Sequence, residues 1–581
     1  MPQMSQYIGT SNRIGTDVSP SAFLPTSAKE VEALGWDYID VILFSGDAYV
    51  DHPSFGAAVL GRVLQSHDYR VAIVPQPNWR DDLRDFRKLG KPRLFFGVSA
   101  GAMDSMVNHY TANRRRRSDD AYTPGGKSGM RPDYPTIVYT KILRELYGND
   151  VPVVIGGIEA SMRRLSHYDY WQNDLRQSIL VDAPADLLMY GMGDKGIIEL
   201  ADSLAAGADV RTLENLPQTA IILPKEKMPR PDENNIILHS WDEVKKSKRC
   251  QAENFKHIEQ QSNRRHGATI WQQIDDKRAV KVNPMYLSDL GGPSANMYAM
   301  RGKDETICEK CLRPSCLHPK VCPNLNTDHS QLLEVYHAVD ALPGVKKSFI
   351  GSGVRYDLSM HHTGDKHVDS VNARYNEELI AKHVSGRLKV APEHTEPHVL
   401  NLMRKPEFEQ FYTFRDLFNR VNTKHGLNQQ LIPYFISSHP GCKEVDMAEL
   451  AVKTQRMNMH LEQVQDFTPT PMTLSTEIYY TGIHPYTGEK VFTAHTPEQK
   501  LSQRKYFFWY DREYHRDIVN SLKSMHRDDL LAMLYPRGLP RVPAGGVPTG
   551  SRPQNKFPER NAGNKKTRDN RTGNKNRHNK K

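Results

Sequence analysis

Four of the chain's six cysteines fall within fifteen residues: Cys308, Cys311, Cys316 and Cys322, in the spacing Cys-x2-Cys-x4-Cys-x5-Cys. Thiolates so placed can wrap one ion in a compact loop, and both zinc and iron–sulfur clusters take four cysteines. The spacing matches no common finger. It lacks two separated Cys-x2-Cys knuckles, and it reverses the Cys-x4-Cys-x2-Cys order of plant-type ferredoxins. Two readings stand side by side: a metal or cluster site, and buried or reactive thiols. Cys250 and Cys442 are isolated and read as incidental.

Other polar and small residues follow apolar runs in the C-terminal half. They are Ser288, Asp289, Gly291 and Gly292; then Ser352, Arg355 and Asp357; then Glu393 and His394; then Ser437, Ser438 and His439; then Thr468, Thr470 and Thr473. In a parallel barrel the loops after the strands converge on one face, so catalytic groups gather there. One polar strand end means little, since a lone histidine is usually a satisfied structural group. Five in succession point to a ligand-binding face, with Arg355, Asp357, Glu393, His394 and His439 as catalytic candidates. Nearer the N-terminus, Gly97-Val98-Ser99-Ala100-Gly101 fits Gly-x-Ser-x-Gly after an apolar run. That is the context of a serine hydrolase elbow with Ser99 as nucleophile, and equally that of a tight turn.

The elements that must carry these groups show in the hydrophobic pattern. Apolar runs at 38–44, 71–74, 94–98, 151–155 and 186–190 alternate with helical patterns. Short buried strands separated by helices predict a parallel α/β sheet. Several runs end in small residues, as in Phe44-Ser45-Gly46-Asp47 and Ile155-Gly156-Gly157, which suits either a tight turn or a ligand approaching the backbone. The charged stretch 243–265 reads as an exposed helical connector. Beyond it, strands are expected at 347–350, 387–390, 431–436 and 463–467, with helices between.

Charge is distributed unevenly. The chain of 581 residues has a formal net charge of +10, but residues 551–581 hold eleven Lys or Arg and two acidic residues, a net of +9. This tail almost lacks apolar side chains and is expected to be a disordered basic arm, able to contact RNA or another polyanion or simply to solubilise. No run approaches 18 apolar residues, no signal-peptide core is present, and the cysteines make no disulfide framework. A cytoplasmic protein with no membrane segment is the expectation.

Longer strings carry a resemblance. Phe44-Ser45-Gly46-Asp47-Ala48-Tyr49-Val50-Asp51-His52-Pro53, Gly156-Gly157-Ile158-Glu159-Ala160-Ser161-Met162-Arg163-Arg164 and Ser288-Asp289-Leu290-Gly291-Gly292-Pro293-Ser294-Ala295-Asn296-Met297-Tyr298 resemble the YgiQ-type radical SAM proteins. So do Cys322-Pro323-Asn324-Leu325-Asn326-Thr327-Asp328-His329, Ser352-Gly353-Val354-Arg355-Tyr356-Asp357 and Leu388-Lys389-Val390-Ala391-Pro392-Glu393-His394. The likeness runs from about Leu34 to Leu534. It implies a Rossmann-like N-terminal domain followed by a partial β/α barrel. It also implies a [4Fe–4S] cluster on Cys-x3-Cys-x2-Cys that binds S-adenosylmethionine at its open iron and cleaves it reductively. Gly291, Gly292 and Pro293 would receive the methionine end of that cofactor.

The chain departs from this pattern at one place. It contains no Cys-x3-Cys-x2-Cys, and Val282-Asn283-Pro284 reaches Ser288 through only Met285, Tyr286 and Leu287. The family carries its cysteine loop between those two elements, so the first barrel strand, its loop and a helix read as deleted. The four clustered cysteines would then be an auxiliary or structural metal set. The expected layout is an extension at 1–30, a Rossmann-like domain at 31–240, a connector at 241–284, an incomplete barrel at 285–480, a helical region at 481–540 and the basic tail at 541–581. The leading expectation is a radical SAM family protein, acting on an unknown substrate, whose activity is absent or impaired. The alternatives are a metal-stabilised RNA- or polyanion-binding protein, a hydrolase using Ser99, and a chain that records a deletion or gene-model error.

Overall fold

β1 (Val41–Ser45) is buried at all five residues, and its side chains alternate between two apolar cores. Ile42 and Phe44 face one core, Val41 and Leu43 the other, which is why a continuous apolar run forms a strand here. The computed structural model describes residues 23–262, 264, 266–284, 294–536 and 538. β2 (Val71–Pro75), β3 (Phe95–Ser99), β4 (Val153–Gly156) and β7 (Leu187–Met189) join β1 in the parallel order β2-β1-β3-β4-β7. A small antiparallel hairpin, β5 (His167–Asp169) with β6 (Asp174–Arg176), stands outside this sheet. Helices α1 (Gly56–Gln65) and α3 (Asp194–Ala205) cover one face and α2 (Pro135–Tyr147) the other. This is the expected Rossmann-like arrangement, with its change of winding direction between β1 and β3.

The sheet then continues in a way the apolar runs did not announce. β8 (Thr219–Pro224), β9 (Asn235–Ile237), β10 (Thr269–Gln273) and β11 (Arg278–Val282) extend it to nine strands, with β8 antiparallel to β7 and β11 antiparallel to β8. Residues 269–282, within the stretch read as a connector, are therefore part of the sheet. Nor is α4 (Lys248–Ser262) a free solvated helix. Its Phe255 packs with Leu474 and Ile478, because Ala252, Phe255 and Ile258 form one apolar face among the charges.

Buried charges lock the strand-end loops. Arg131 donates to Asp47 Oδ1 at 2.8 Å and to the Ala100 carbonyl at 2.9 Å through Nη1, and to Asp120 Oδ1 at 3.0 Å through Nη2. It thereby ties the loop after β1 to the loop after β3. The two loops pass so closely that a Cβ on Gly46 would stand 2.2 Å from the Ala100 oxygen, so only glycine fits. A second clamp uses Glu159, which accepts from Ser105 Oγ at 2.5 Å and from the Thr136 N–H at 3.2 Å. Beside it, Arg163 pairs with Asp104. Two of the family strings thus have structural work at the sheet's carboxyl end.

In the C-terminal half, β12 (Arg387–Glu393), β13 (Gln430–Ser437) and β14 (Gln463–Asp466) form a parallel sheet in chain order. α5 (Lys366–Lys382) precedes β12. α6 (Glu409–Lys424) and α7 (Glu444–Arg456) make the crossovers that parallel pairing requires, and α8 (Leu474–Thr481) follows β14. The expected incomplete barrel is thus a three-stranded βα unit. The strand expected at 347–350 does not form: Lys347 and Phe349 are exposed, and Ile350 bonds to the His383 carbonyl instead of a neighbouring strand. A strand needs a ladder partner and a buried face, and this run has neither. Among the described residues no helix is long and apolar enough to cross a membrane.

Candidate functional site

The five catalytic candidates separate into two groups. Arg355, Asp357 and Glu393 form the first. Arg355 grips Asp357 with two parallel bonds, Nε to Oδ1 at 3.0 Å and Nη2 to Oδ2 at 2.5 Å. Burial opposes the charge on Arg355, but the Asp357 carboxylate outweighs it and holds the guanidinium above its ordinary pKa. Glu393 adds to the same field and pairs with Lys405 Nζ at 2.9 Å. Asp357 and Lys405 both line a cavity of about 880 Å³, walled on one side by residues 317–321 of the cysteine loop.

His394 and His439 form the second group and are enclosed. Burial and then His439 depress the His394 pKa to about 3, and burial lowers His439 to about 4, so both are neutral at physiological pH. His439 Nδ1 donates to the Pro440 carbonyl at 2.9 Å, leaving Nε2 to accept from Ser475 Oγ at 2.7 Å. His394 Nδ1 accepts from the Glu396 N–H at 3.1 Å, and its Nε2 stands 3.5 Å from Cys442 Sγ. Cys442, read from sequence as incidental, is fully buried beside this pair.

Two strand ends carry backbone strain. Glu393 has φ 63° and Ser438 has φ 61°, both in the left-handed region and both at the carboxyl ends of adjacent strands β12 and β13. Each costs about 1–2 kcal/mol for a residue with a Cβ. Such strain persists where surrounding structure fixes it, and it gathers at ligand clamps. Ser438 is held by its N–H bond to Gln503 Oε1 at 2.8 Å, while its buried hydroxyl has no partner among the described residues.

Sequence reasoning missed the residues that tie the site together. Asn296, fully buried, accepts from the Arg355 N–H at 2.7 Å and returns a bond from Nδ2 to the Arg355 carbonyl at 2.9 Å. Its Nδ2 lies 3.3 Å from His329 Nε2, and His329 Nδ1 lies 2.8 Å from Asn372 Oδ1. Three family strings, around 296, 329 and 355, are therefore one hydrogen-bonded chain. The signal available was an Asn and a His inside polar strings that must be buried. Ser288, Asp289, Gly291, Gly292 and Pro293 lie outside the described residues, as does the tail 541–581.

None of the four clustered cysteines is in a disulfide. Burial, then Cys322, Cys308 and Cys311, push the Cys316 thiol above its ordinary pKa, so the four thiols share one neighbourhood. Cys308 Sγ receives Asn324 Nδ2 at 3.2 Å, and Cys311 Sγ receives the Arg313 N–H at 3.4 Å. As placed, no three His, Cys, Asp or Glu among the described residues make a group that could hold a metal ion. Ser99 Oγ accepts from the Gly101 N–H at 3.1 Å, and no histidine is hydrogen-bonded to it among the described residues.

Residues 23–290 match the family model described as Radical SAM N-terminal, and residues 462–581 match a domain of unknown function, DUF3362. A UPF0313 protein of Bacteroides thetaiotaomicron is 53% identical over 610 residues, covering 88% of this chain and 98% of that protein. One from Clostridium perfringens is 37% identical over 600 residues, covering 88% and 89%. Since 88% of this chain is about 510 residues, about one hundred positions of the Bacteroides alignment stand opposite no residue here. Among solved structures, the radical S-adenosylmethionine methyltransferase TsrM from Kitasatospora setae, with cobalamin and a [4Fe–4S] cluster bound, aligns at TM-score 0.41 and 14% identity. That alignment covers 77% of this chain and 78% of the other. The cobalamin-dependent S-adenosylmethionine radical enzyme OxsB aligns at TM-score 0.36 and 12% identity, covering 76% and 55%.

Proposed function

This chain belongs to the UPF0313 family, and from that premise we propose that it is a radical SAM-type protein in which reductive cleavage of S-adenosylmethionine is lost or impaired. One observation carries the reading: the junction after β11. Pro284 is anchored in the sheet, its carbonyl accepting from the Gln218 N–H at 3.0 Å, and only three residues separate it from Ser288. Three residues span about 10 Å at full extension. A strand, a cysteine loop and a returning helix need about 30 residues. The hundred or so unmatched alignment positions support an internal loss of that kind.

The residues present do not fit a site-open [4Fe–4S] cluster. Such a cluster takes three thiolates and leaves one iron free, and the chain has no Cys-x3-Cys-x2-Cys to supply them. Cys308, Cys311, Cys316 and Cys322 sit on a different loop, beside the cavity that Asp357 and Lys405 line. Their proposed part is auxiliary or structural. What the C-terminal half retains is a polar receptor: Arg355 oriented by Asp357 and Asn296, and Glu393 held in a strained turn. Anaerobic reconstitution with iron and sulfide, strong reductant and S-adenosylmethionine tests the proposal. The expected 5′-deoxyadenosine yield equals the protein-free blank; product well above it overturns the reading.

A further inference from the structure

At the carboxyl ends of β1, β3 and β4, a cavity of about 450 Å³ opens between α1 and α3 on one face of the N-terminal sheet. Residues of both β1 and β3 line it, so it occupies the point where the winding reverses, the crevice in which open α/β sheets take ligands. The volume falls in the range of small-molecule sites. Its inner wall is apolar, with Leu43, Phe95, Val154 and Met189 from the sheet and Leu60 and Ile197 from the helices.

Three features define what fits. Among the described residues no Lys, Arg or His lines the cavity, and Asp194 is its only ionisable group. A phosphate would meet the Asp194 carboxylate and no basic side chain, with only the helix N-termini to offset it. Second, Asp194 Oδ1 is buried with no hydrogen-bond partner among the described residues. A buried acceptor left unpaired is destabilising, so a ligand hydroxyl or N–H placed there gains the full bond. Third, α1 and α3 both begin at this cavity, at Gly56 and Asp194, with no side-chain cap bond. Their first-turn N–H groups have no intrahelical acceptors and can donate to a ligand.

The occupant must therefore combine an apolar ring, hydroxyl donors and neutral acceptors, without strong negative charge. We propose that this cavity binds an uncharged nucleoside, its base against the Phe95 and Met189 wall and its sugar hydroxyls on Asp194. The proposal is independent of whether the C-terminal half cleaves S-adenosylmethionine.

Equilibrium dialysis of the full chain against adenosine, guanosine, cytidine and uridine, each beside its 5′-monophosphate and with decanoate as an apolar anion, tests it. At least one nucleoside should bind saturably and about ten-fold or more tighter than its monophosphate. Asp194→Ala should weaken the nucleoside about ten-fold, and Ala57→Leu, which fills the cavity from α1, should abolish binding. Asp194→Asn should narrow the gap between nucleoside and monophosphate by removing the repulsion, a shift that a purely structural Asp194 would not produce. Failure of every nucleoside to bind at millimolar concentration, preference for decanoate, or binding indifferent to all three substitutions overturns the proposal.

Discussion

Glu477 gives the sharpest test of the packing between the two halves. It lies on α8, fully buried against α4, where Gln251 Nε2 donates to its two carboxylate oxygens at 3.3 and 3.2 Å. Burial pushes its pKa up to about 8, and the Gln251 bond recovers only part of that. In the unfolded chain the group titrates near 4.5, so between pH 4.5 and 8 folding takes up a proton. A raised acid pKa means stability is full below 4.5, falls as pH rises through the interval, and levels off above 8. Each factor of ten in proton affinity is worth about 1.4 kcal/mol, so the deficit at pH 7 is about 3 kcal/mol. Glu477→Gln keeps the shape and removes the titration. Urea unfolding at pH 5, 6, 7 and 8 should show the two proteins nearly equal at pH 5. By pH 7 the variant should lead by about 2–4 kcal/mol. Profiles that stay parallel across that range, or a variant that loses ground as pH rises, would refute the burial argument.

Three further outcomes follow from the same kind of reasoning. Asn296→Leu should destabilise the C-terminal half by about 2–4 kcal/mol, since it leaves the buried Arg355 N–H and carbonyl unpaired; hydrogen exchange should rise around 296, 329 and 355 and not in the N-terminal sheet. Arg131→Met should cost about 3–5 kcal/mol in thermal or urea unfolding, because Asp47 and Asp120 lose their buried partner. Deleting residues 551–581 should abolish salt-sensitive retention on heparin or RNA while leaving the unfolding midpoint unchanged; retention that survives the deletion would remove the tail as the polyanion contact.

The N-terminal parallel strands were legible because strands buried on both faces are continuous apolar runs. The runs at 38–44, 71–74, 94–98, 151–155 and 186–190 each overlap an observed strand. β10 and β11 were not legible because Gln272, Gln273 and Lys281 interrupt them, whereas β8 holds the apolar run Ala220–Leu223, which the sequence reading passed over. The run at 347–350 shows the opposite failure, an apolar pattern with no edge to join. Among the candidate groups, the sequence put all five on one face by the logic of strand ends, although Arg355 and Asp357 follow the run at 347–350, which forms no strand. It could not tell that His394 and His439, equally polar and equally placed, are enclosed and held neutral.

By itself the sequence determined the family, the apolar strands of the N-terminal sheet and the absence of a Cys-x3-Cys-x2-Cys, because each of these is a matter of residue order. Tertiary structure alone decided that Asn296, His329 and Asn372 form one chain behind Arg355. It alone set the protonation of Glu477 and the two histidines, and it alone opened a cavity between α1 and α3. Those properties depend on which groups share a low-dielectric interior, and burial is a consequence of packing across the chain rather than of neighbours along it.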